Sequence, residues 1–286
     1  MFIKDIKKEN KITLSFEIFP PKPDTPFDSV KEAASRLALK KPDFISVTYG
    51  AGGSSRDNTF SLASFVQDEL NVVSLAHLTC VGTEKEKLNE ILTELTERKI
   101  QNILALRGDF PKGGEDLPLD FKHASDLIYE IKKFGGFCVG GACYPEGHTE
   151  SDNIVIDTEN LKYKAAAGVD FLVSQLYFDN DVFYSFLYRA ASHGIDIPVH
   201  AGIMPVTNRN SVKRMCRLSG ATLTPKYRNM LDKFYDKPES LEQAGIVYAS
   251  EQIIDLVANG VCGIHIYTMN RPDIAEKIIY NLKGII

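Results

Sequence analysis

Residues 14–19 read Leu14-Ser15-Phe16-Glu17-Ile18-Phe19. In an extended chain Leu14, Phe16 and Ile18 fall on one face, and Ser15, Glu17 and Phe19 on the other. Short apolar, β-branched-rich runs of this kind, most ending in a polar or charged side chain, recur eight times along the chain. They begin near Leu14, Asp43, Val72, Asn102, Phe137, Phe171, Val199 and Gly263. The intervals between starts run from 28 to 35 residues, except the last, which is 64. Each interval has room for a strand, a helix and two short loops. Eight such units predict the α/β class and a single (β/α)8 TIM barrel, whose functional groups sit at the C-terminal strand ends. The apolar strand face meets the helices in that fold, so Glu17 is expected to point into the barrel near its top.

The chain of 286 residues suits one barrel domain spanning 1–286, with no linker or low-complexity tract. Net charge is −5, and no Lys/Arg-rich stripe with interleaved aromatics is present, so nucleic acid is not an expected partner. The opening MFIKDIKKENK lacks the apolar run of a secretory signal, and no stretch approaches the ~20 apolar residues of a membrane span. Five cysteines (Cys80, Cys138, Cys143, Cys216, Cys262) form no CxxC pair. A cytoplasmic protein with reduced, buried thiols and no metal is the economical reading.

Amphipathic segments of helical period fall at 28–39, with Asp28 or Ser29 as cap, and at 83–99, with Thr83 and Glu86 in capping-box spacing. Others fall at 124–134, 160–167 and 181–193. The 64-residue interval holds helical stretches at 211–217 and 241–259, with a further one around 226–234. The Gly- and Pro-containing stretch 110–120 (FPKGGEDLPLD) is expected to be a mobile loop over the site.

The top of this barrel collects Glu17, Thr48, His77, Arg107, Asp109, Tyr144, Gln175 and the residues after Tyr267. A carboxylate enclosed in an apolar strand is costly unless paired or protonated, the environment of a general acid; the alternative is a solvent-facing Glu17. Arg107-Gly108-Asp109 ends a strand and reads either as a functional trio or as an internal ion pair. The run 50–55 (GAGGSS) either offers backbone N–H groups to a phosphate or is a plain turn; it matches neither GxGxxG nor a Walker loop. A lone strand histidine such as His77 is more often a packed group than a base. Glu146 and His148 lack a third ligand, which excludes a metal. Tyr177, which shares a face with Gln175 in the sixth strand, could stack on a flat heterocycle, as could Phe178 and Tyr267, or all three could be core. Pattern alone yields a barrel enzyme without a substrate.

Eight motifs then stand in order at the strand ends: SFEIFPPK (15–22), SVTYGAGGS (46–54), HLTC (77–80), ALRGD (105–109), ACYPEGH (142–148), SQLYFD (174–179), GIMPVTN (202–208) and HIYTMNR (265–271). Together they make the chain resemble the methylenetetrahydrofolate reductases of the short bacterial type. The resemblance implies a non-covalent FAD reduced by NADH or NADPH. Methylenetetrahydrofolate then takes the hydride in a ping-pong cycle and leaves as methyltetrahydrofolate. It implies Glu17 as general acid, Asp109 beside flavin and pterin, Gln175 as a residue shared by folate and nicotinamide, and Arg271 as a substrate contact. It assigns the cofactor to Thr48, His77, Arg107, Gly108, Asp109, Ala124, Tyr144, His148, Asn160 and Lys164, with Arg107, His148 and Lys164 toward the pyrophosphate or ribose. His123 stands where the family often has tyrosine, and the 110–120 loop is longer than usual. The resemblance also implies a homo-oligomer, no regulatory domain of the eukaryotic kind, and a role in methionine synthesis or in an acetyl-forming pathway. In that second setting another subunit delivers the electrons. Nothing in the sequence chooses NADH over NADPH. A flavin-free barrel methyltransferase that carries folate and a non-catalytic barrel subunit are the rival readings.

Overall fold

The computed structural model describes residues 1–6, 12–21, 25–49, 56–110 and 120–286, with the side chains of 210 and 211 left aside. Eight strands alternate with helices: β1 (Thr13–Ile18), α1 (Phe27–Ala38), β2 (Phe44–Val47), α2 (Arg56–Asp68), β3 (Val73–Thr79), α3 (Lys85–Glu97), β4 (Asn102–Leu106), α4 (Ala124–Phe134), β5 (Cys138–Cys143), α5 (Ile154–Ala166), β6 (Phe171–Ser174), α6 (Asn180–Ser192), β7 (Val199–Ile203), α7 (Arg209–Ser219), α8 (Pro225–Lys233), α9 (Pro238–Ala258), β8 (Gly263–Tyr267) and α10 (Pro272–Asn281). The strands pair in parallel, in chain order, and β8 closes on β1. This is the (β/α)8 TIM barrel that the recurrence predicts.

Strand alternation builds two cores. Phe16, Ile18, Ile45, Val47, Ile264 and Ile266 belong to the layer shared with the helices, all buried. Phe44, Leu75, Leu104 and Phe171 form a second cluster with Ile3 of the short N-terminal turn. Against Phe44 lie two histidine rings, His200 at 5.4 Å and His265 at 6.1 Å between centroids. A third cluster joins Leu176, Phe178, Met204 and Val206 to Tyr227, Leu231 and Leu241 of α8 and α9.

Several local expectations give way to tertiary contacts. Neither Asp28 nor Ser29 caps α1: the helix starts at Phe27 behind Pro26, and Ser29 Oγ donates to Pro26 O at 2.8 Å. The Thr83/Glu86 box does not form either. Lys85 N in the first turn of α3 donates to Asp120 Oδ2 at 2.8 Å, so a distant side chain satisfies an N–H that a local cap was expected to serve. Helix α5 begins at Ile154, ahead of residue 160, because Asn153 Oδ1 accepts from Val155 N and Ile156 N at 3.0 Å each. Helix α2, which the periodicity did not single out, buries Phe60, Leu62, Ala63 and Val66. Among the described residues no helix is long and apolar enough to cross a membrane.

Candidate active site

The register of β1 sets Glu17 opposite Ser46 of β2 and Tyr267 of β8. Its carboxylate nevertheless meets β3 as well: Glu17 Oε2 stands 3.7 Å from His77 Nε2 and 3.7 Å from His265 Nε2. A side chain on β1 reaches β3 past β2 only from the barrel interior, so Glu17 points inward, with 8% of its surface exposed. Ser46 Oγ lies 2.5 Å from His77 Nε2, and Ser15 Oγ 2.8 Å from His265 Nδ1. Burial, which outweighs the attraction of Glu17, lowers His77 to about 4, and burial lowers His200 to about 3, so both are neutral at neutral pH.

The segment after β8 fixes the end of β1. Thr268 Oγ1 donates to Glu17 O at 2.6 Å. Asn270 Oδ1 accepts from Phe19 N at 2.8 Å, and its Nδ2 donates to Phe19 O at 2.9 Å, so one amide side chain imitates a strand partner. Beside it, Tyr267 Oη donates to Ser174 O at 2.6 Å, and Gly202 N donates to Ser174 Oγ at 2.9 Å. A Cβ at Gly202 would lie 2.2 Å from Ser174 O and 2.8 Å from Tyr267, so this crossing admits only glycine.

A cationic side faces this acidic one. Arg107 follows β4, and its guanidinium makes a two-point ion pair with Glu150. Gly108 has φ +81°, and a Cβ there would be 2.9 Å from Thr79 Cβ, which leaves bare backbone beside Arg107. Asp109 is exposed. Burial first, then the charges of Asp157 and Asp109, pushes the Tyr144 hydroxyl up to about 12. The Tyr144 ring meets His148 edge-on at 4.6 Å. Lys164 Nζ donates to Ala142 O at 2.6 Å, and burial pulls its ammonium below the ordinary lysine value. Gln175 follows β6; its Oε1 accepts from Leu176 N at 2.9 Å, which leaves the amide N–H groups as donors.

Arg271 caps α10, and its guanidinium is committed to Asp273 at 2.7 Å and Glu242 at 2.9 Å. Asn160 is exposed on α5 and Ala124 is buried at the start of α4. Thr48 is buried and follows β2. Strand β6 ends at Ser174, so Tyr177 shares no strand face with Gln175. It stacks on Phe183 at 5.0 Å, and Phe178 packs on Tyr227 at 4.8 Å: both are core, not platforms for a heterocycle. The run 50–55 and residues 111–119 of the 110–120 loop lie outside the described residues. Ser15, Ser46 and His265 were not singled out from the sequence. The available signal was their place at alternate positions, in step with Glu17, of interior strand faces. Among the described residues no three His, Cys, Asp or Glu side chains form a group able to hold a metal.

The model of the methylenetetrahydrofolate reductase family matches residues 2–283. The chain is 32% identical to a 5,10-methylenetetrahydrofolate reductase of Pectobacterium carotovorum subsp. carotovorum over 96% of this chain and 91% of that protein. It is 32% identical to the Escherichia coli (strain K12) enzyme of the same name over 96% and 92%. An Arabidopsis thaliana methylenetetrahydrofolate reductase (NADH) 1 is 34% identical over 98% of this chain but only 50% of its own length. Among solved structures, an uncharacterized Clostridium thermocellum protein that binds two copies of 5-methyl-5,6,7,8-tetrahydrofolic acid aligns with TM-score 0.61 at 14% identity, covering 96% of this chain and 95% of that one, a likeness of fold. With an acidic interior, a cationic rim and a family match over nearly the whole barrel, the chain belongs to the methylenetetrahydrofolate reductase family of oxidoreductases.

Proposed function

We propose that this chain reduces 5,10-methylenetetrahydrofolate to 5-methyltetrahydrofolate, with FAD as its bound cofactor and NADH or NADPH as reductant, the two substrates taking turns at one mouth. The observation that carries this reading is Glu17, a carboxylate enclosed inside the barrel between two imidazoles, with no lysine or arginine within ion-pair distance among the described residues. The donor set fits a flavin dinucleotide. Arg107 already grips a carboxylate at two points, Lys164 has a single carbonyl as its hydrogen-bond partner among the described residues, and Gly108 bares the backbone next to Arg107. A diphosphate suits that cationic rim. Hydride donation is the chemistry that bound FAD supplies there.

The chain's own residues do the rest. The closed five-membered ring of the substrate is a poor electrophile, and protonation of its N10 expels that nitrogen and leaves an iminium at N5. Glu17 is the group placed to give that proton, and the Thr268 and Asn270 bonds hold its strand end still while it does so. Asp109 adds a negative charge at the rim, which favours a cationic iminium. Gln175 offers amide N–H donors that either substrate can take in turn.

The test is Glu17→Gln in the FAD-loaded protein, followed anaerobically by stopped-flow absorbance. The variant should still be reduced by the nicotinamide, while chemically reduced variant mixed with methylenetetrahydrofolate should show no return of the oxidised flavin band. Folate turnover at the unmodified rate would remove Glu17 as the acid.

A further inference from the structure

Two imidazoles meet the same oxygen of Glu17, but they are held differently. His77 Nε2 is shared, 2.5 Å from Ser46 Oγ and 3.7 Å from Glu17 Oε2. His265 is gripped from behind. Its Nδ1 is 2.8 Å from Ser15 Oγ, whose hydroxyl also reaches Ile264 O at 3.2 Å. Its Nε2 faces Glu17 Oε2 at 3.7 Å and is buried without a hydrogen-bond partner among the described residues. The residue has 0% exposure to bulk solvent.

A hydroxyl has one proton to give. When Ser15 gives it to Ile264 O, the Ser15 oxygen accepts from His265 Nδ1–H, and every group behind the ring is satisfied. A neutral imidazole protonated at Nδ1 then turns a bare lone pair toward Glu17. Beside an ionised carboxylate that lone pair is repulsive; beside a carboxylic acid it is a hydrogen-bond acceptor, and a small rotation of the carboxyl closes the gap.

We infer that Ser15 and His265 form a positioning pair for the acid: Ser15 sets the tautomer, and His265 Nε2 receives the Glu17 hydroxyl between turnovers. The inference rests on the reductase reading and extends it to two residues of the quoted motifs to which the resemblance assigns no role. The proton balance is simple. The Glu17 O–H proton passes to the substrate nitrogen as the C–N bond breaks, and the bonding electron pair stays on that nitrogen. The carboxylate is reloaded from the mouth, because Ser15 and Ile264 O lead only into the β1–β8 pair. His265 neither gains nor loses a proton over the cycle. Among the described residues the other titratable groups around this pair are His77 from β3 and Tyr267 from β8 beside Glu17, and His200 from β7 toward His265, and β2 adds the uncharged Ser46.

Ser15→Ala tests this. With no acceptor at Nδ1, the ring takes the Nε2–H tautomer and donates to an ionised Glu17. The rate of folate reduction by the chemically reduced flavoprotein should then fall at lower pH, its midpoint displaced by about one unit. That makes it roughly tenfold slower on the alkaline side, with the two profiles converging on the acid side. Ser15→Thr, which keeps the hydroxyl, should restore the profile, and flavin fluorescence reports that each variant is folded. In parallel, the infrared carboxylic C=O band that vanishes in Glu17→Gln should weaken at neutral pH in Ser15→Ala. A rate loss equal at every pH, or an unmoved midpoint with an unchanged band, would overturn the inference. If the unmodified protein fails to reduce folate while the band still responds to Ser15→Ala, the reductase reading falls and the Ser15–His265–Glu17 coupling stands.

Discussion

Acidification from pH 7 to pH 5 should cost this fold about 4 kcal/mol through two buried histidines. His77 and His200 each have an ordinary value of 6.5, and burial lowers them to about 4 and about 3 in the folded chain. For a base held below its unfolded value, the unfolded chain binds more protons, so stability is intact above pH 6.5. It then falls with pH and levels off only below the folded value. At pH 5 both rings are still neutral when folded and mostly protonated when unfolded. A pH of 5 is about 1.5 below the unfolded value of each ring, worth about 2 kcal/mol apiece. His148, held low by burial at a half-buried site, acts in the same direction. Urea unfolding at both pH values and fixed ionic strength measures the difference, and His200→Gln, which removes one titrating ring, should halve it. A loss under about 1 kcal/mol, or the same loss in His200→Gln, would refute the claim that these rings stay neutral inside the barrel.

Two further outcomes follow from close contacts. Gly245→Ala on α9 should destabilise the fold by about 3 kcal/mol or more by urea unfolding, because its Cβ would stand 1.8 Å from Val206 O, a backbone atom with little freedom to yield; a loss below 1 kcal/mol would mean that α9 is free to move outward. Lys164→Met should weaken FAD binding about tenfold and flatten its salt dependence, read by flavin fluorescence titration; unchanged affinity and slope would take Lys164 out of the cofactor site.

The strands were legible because a barrel buries them on both faces, so they read as short continuous apolar runs; β4, β6, β7 and β8 begin at the very residues Asn102, Phe171, Val199 and Gly263. Helix α2 was not, since it follows the Gly-rich 50–55 run and mixes Arg56, Asp57, Asn58, Ser61 and Ser64 among its buried positions. Caps failed where a distant group took the work, as Asp120 does for Lys85 N. Glu17 could be found from alternation on one strand. His265 could not, because its meaning lies in register: pairing β1 with β8 sets Ser15 opposite His265 and Glu17 opposite Tyr267, and no single segment carries that information. Arg271 illustrates the converse. Its motif was visible, but Glu242 and Asp273, which claim its guanidinium, come from two helices that only the fold brings together.

The site separates its charges by depth. The cations, Arg107 and Lys164, stand at the end of β4 and on α5, where the proposed reading seats the diphosphate of the cofactor. Around Glu17 the barrel supplies imidazoles and hydroxyls instead, and His77 stays uncharged there because the cost of burying its cation exceeds what one carboxylate returns. A lysine in place of His77 would bring a flexible ammonium to the same oxygen and convert the acid into one half of an ion pair. If Glu17 is the acid proposed here, histidine at 77 suits its task, offering a hydrogen-bonding nitrogen that burial keeps uncharged.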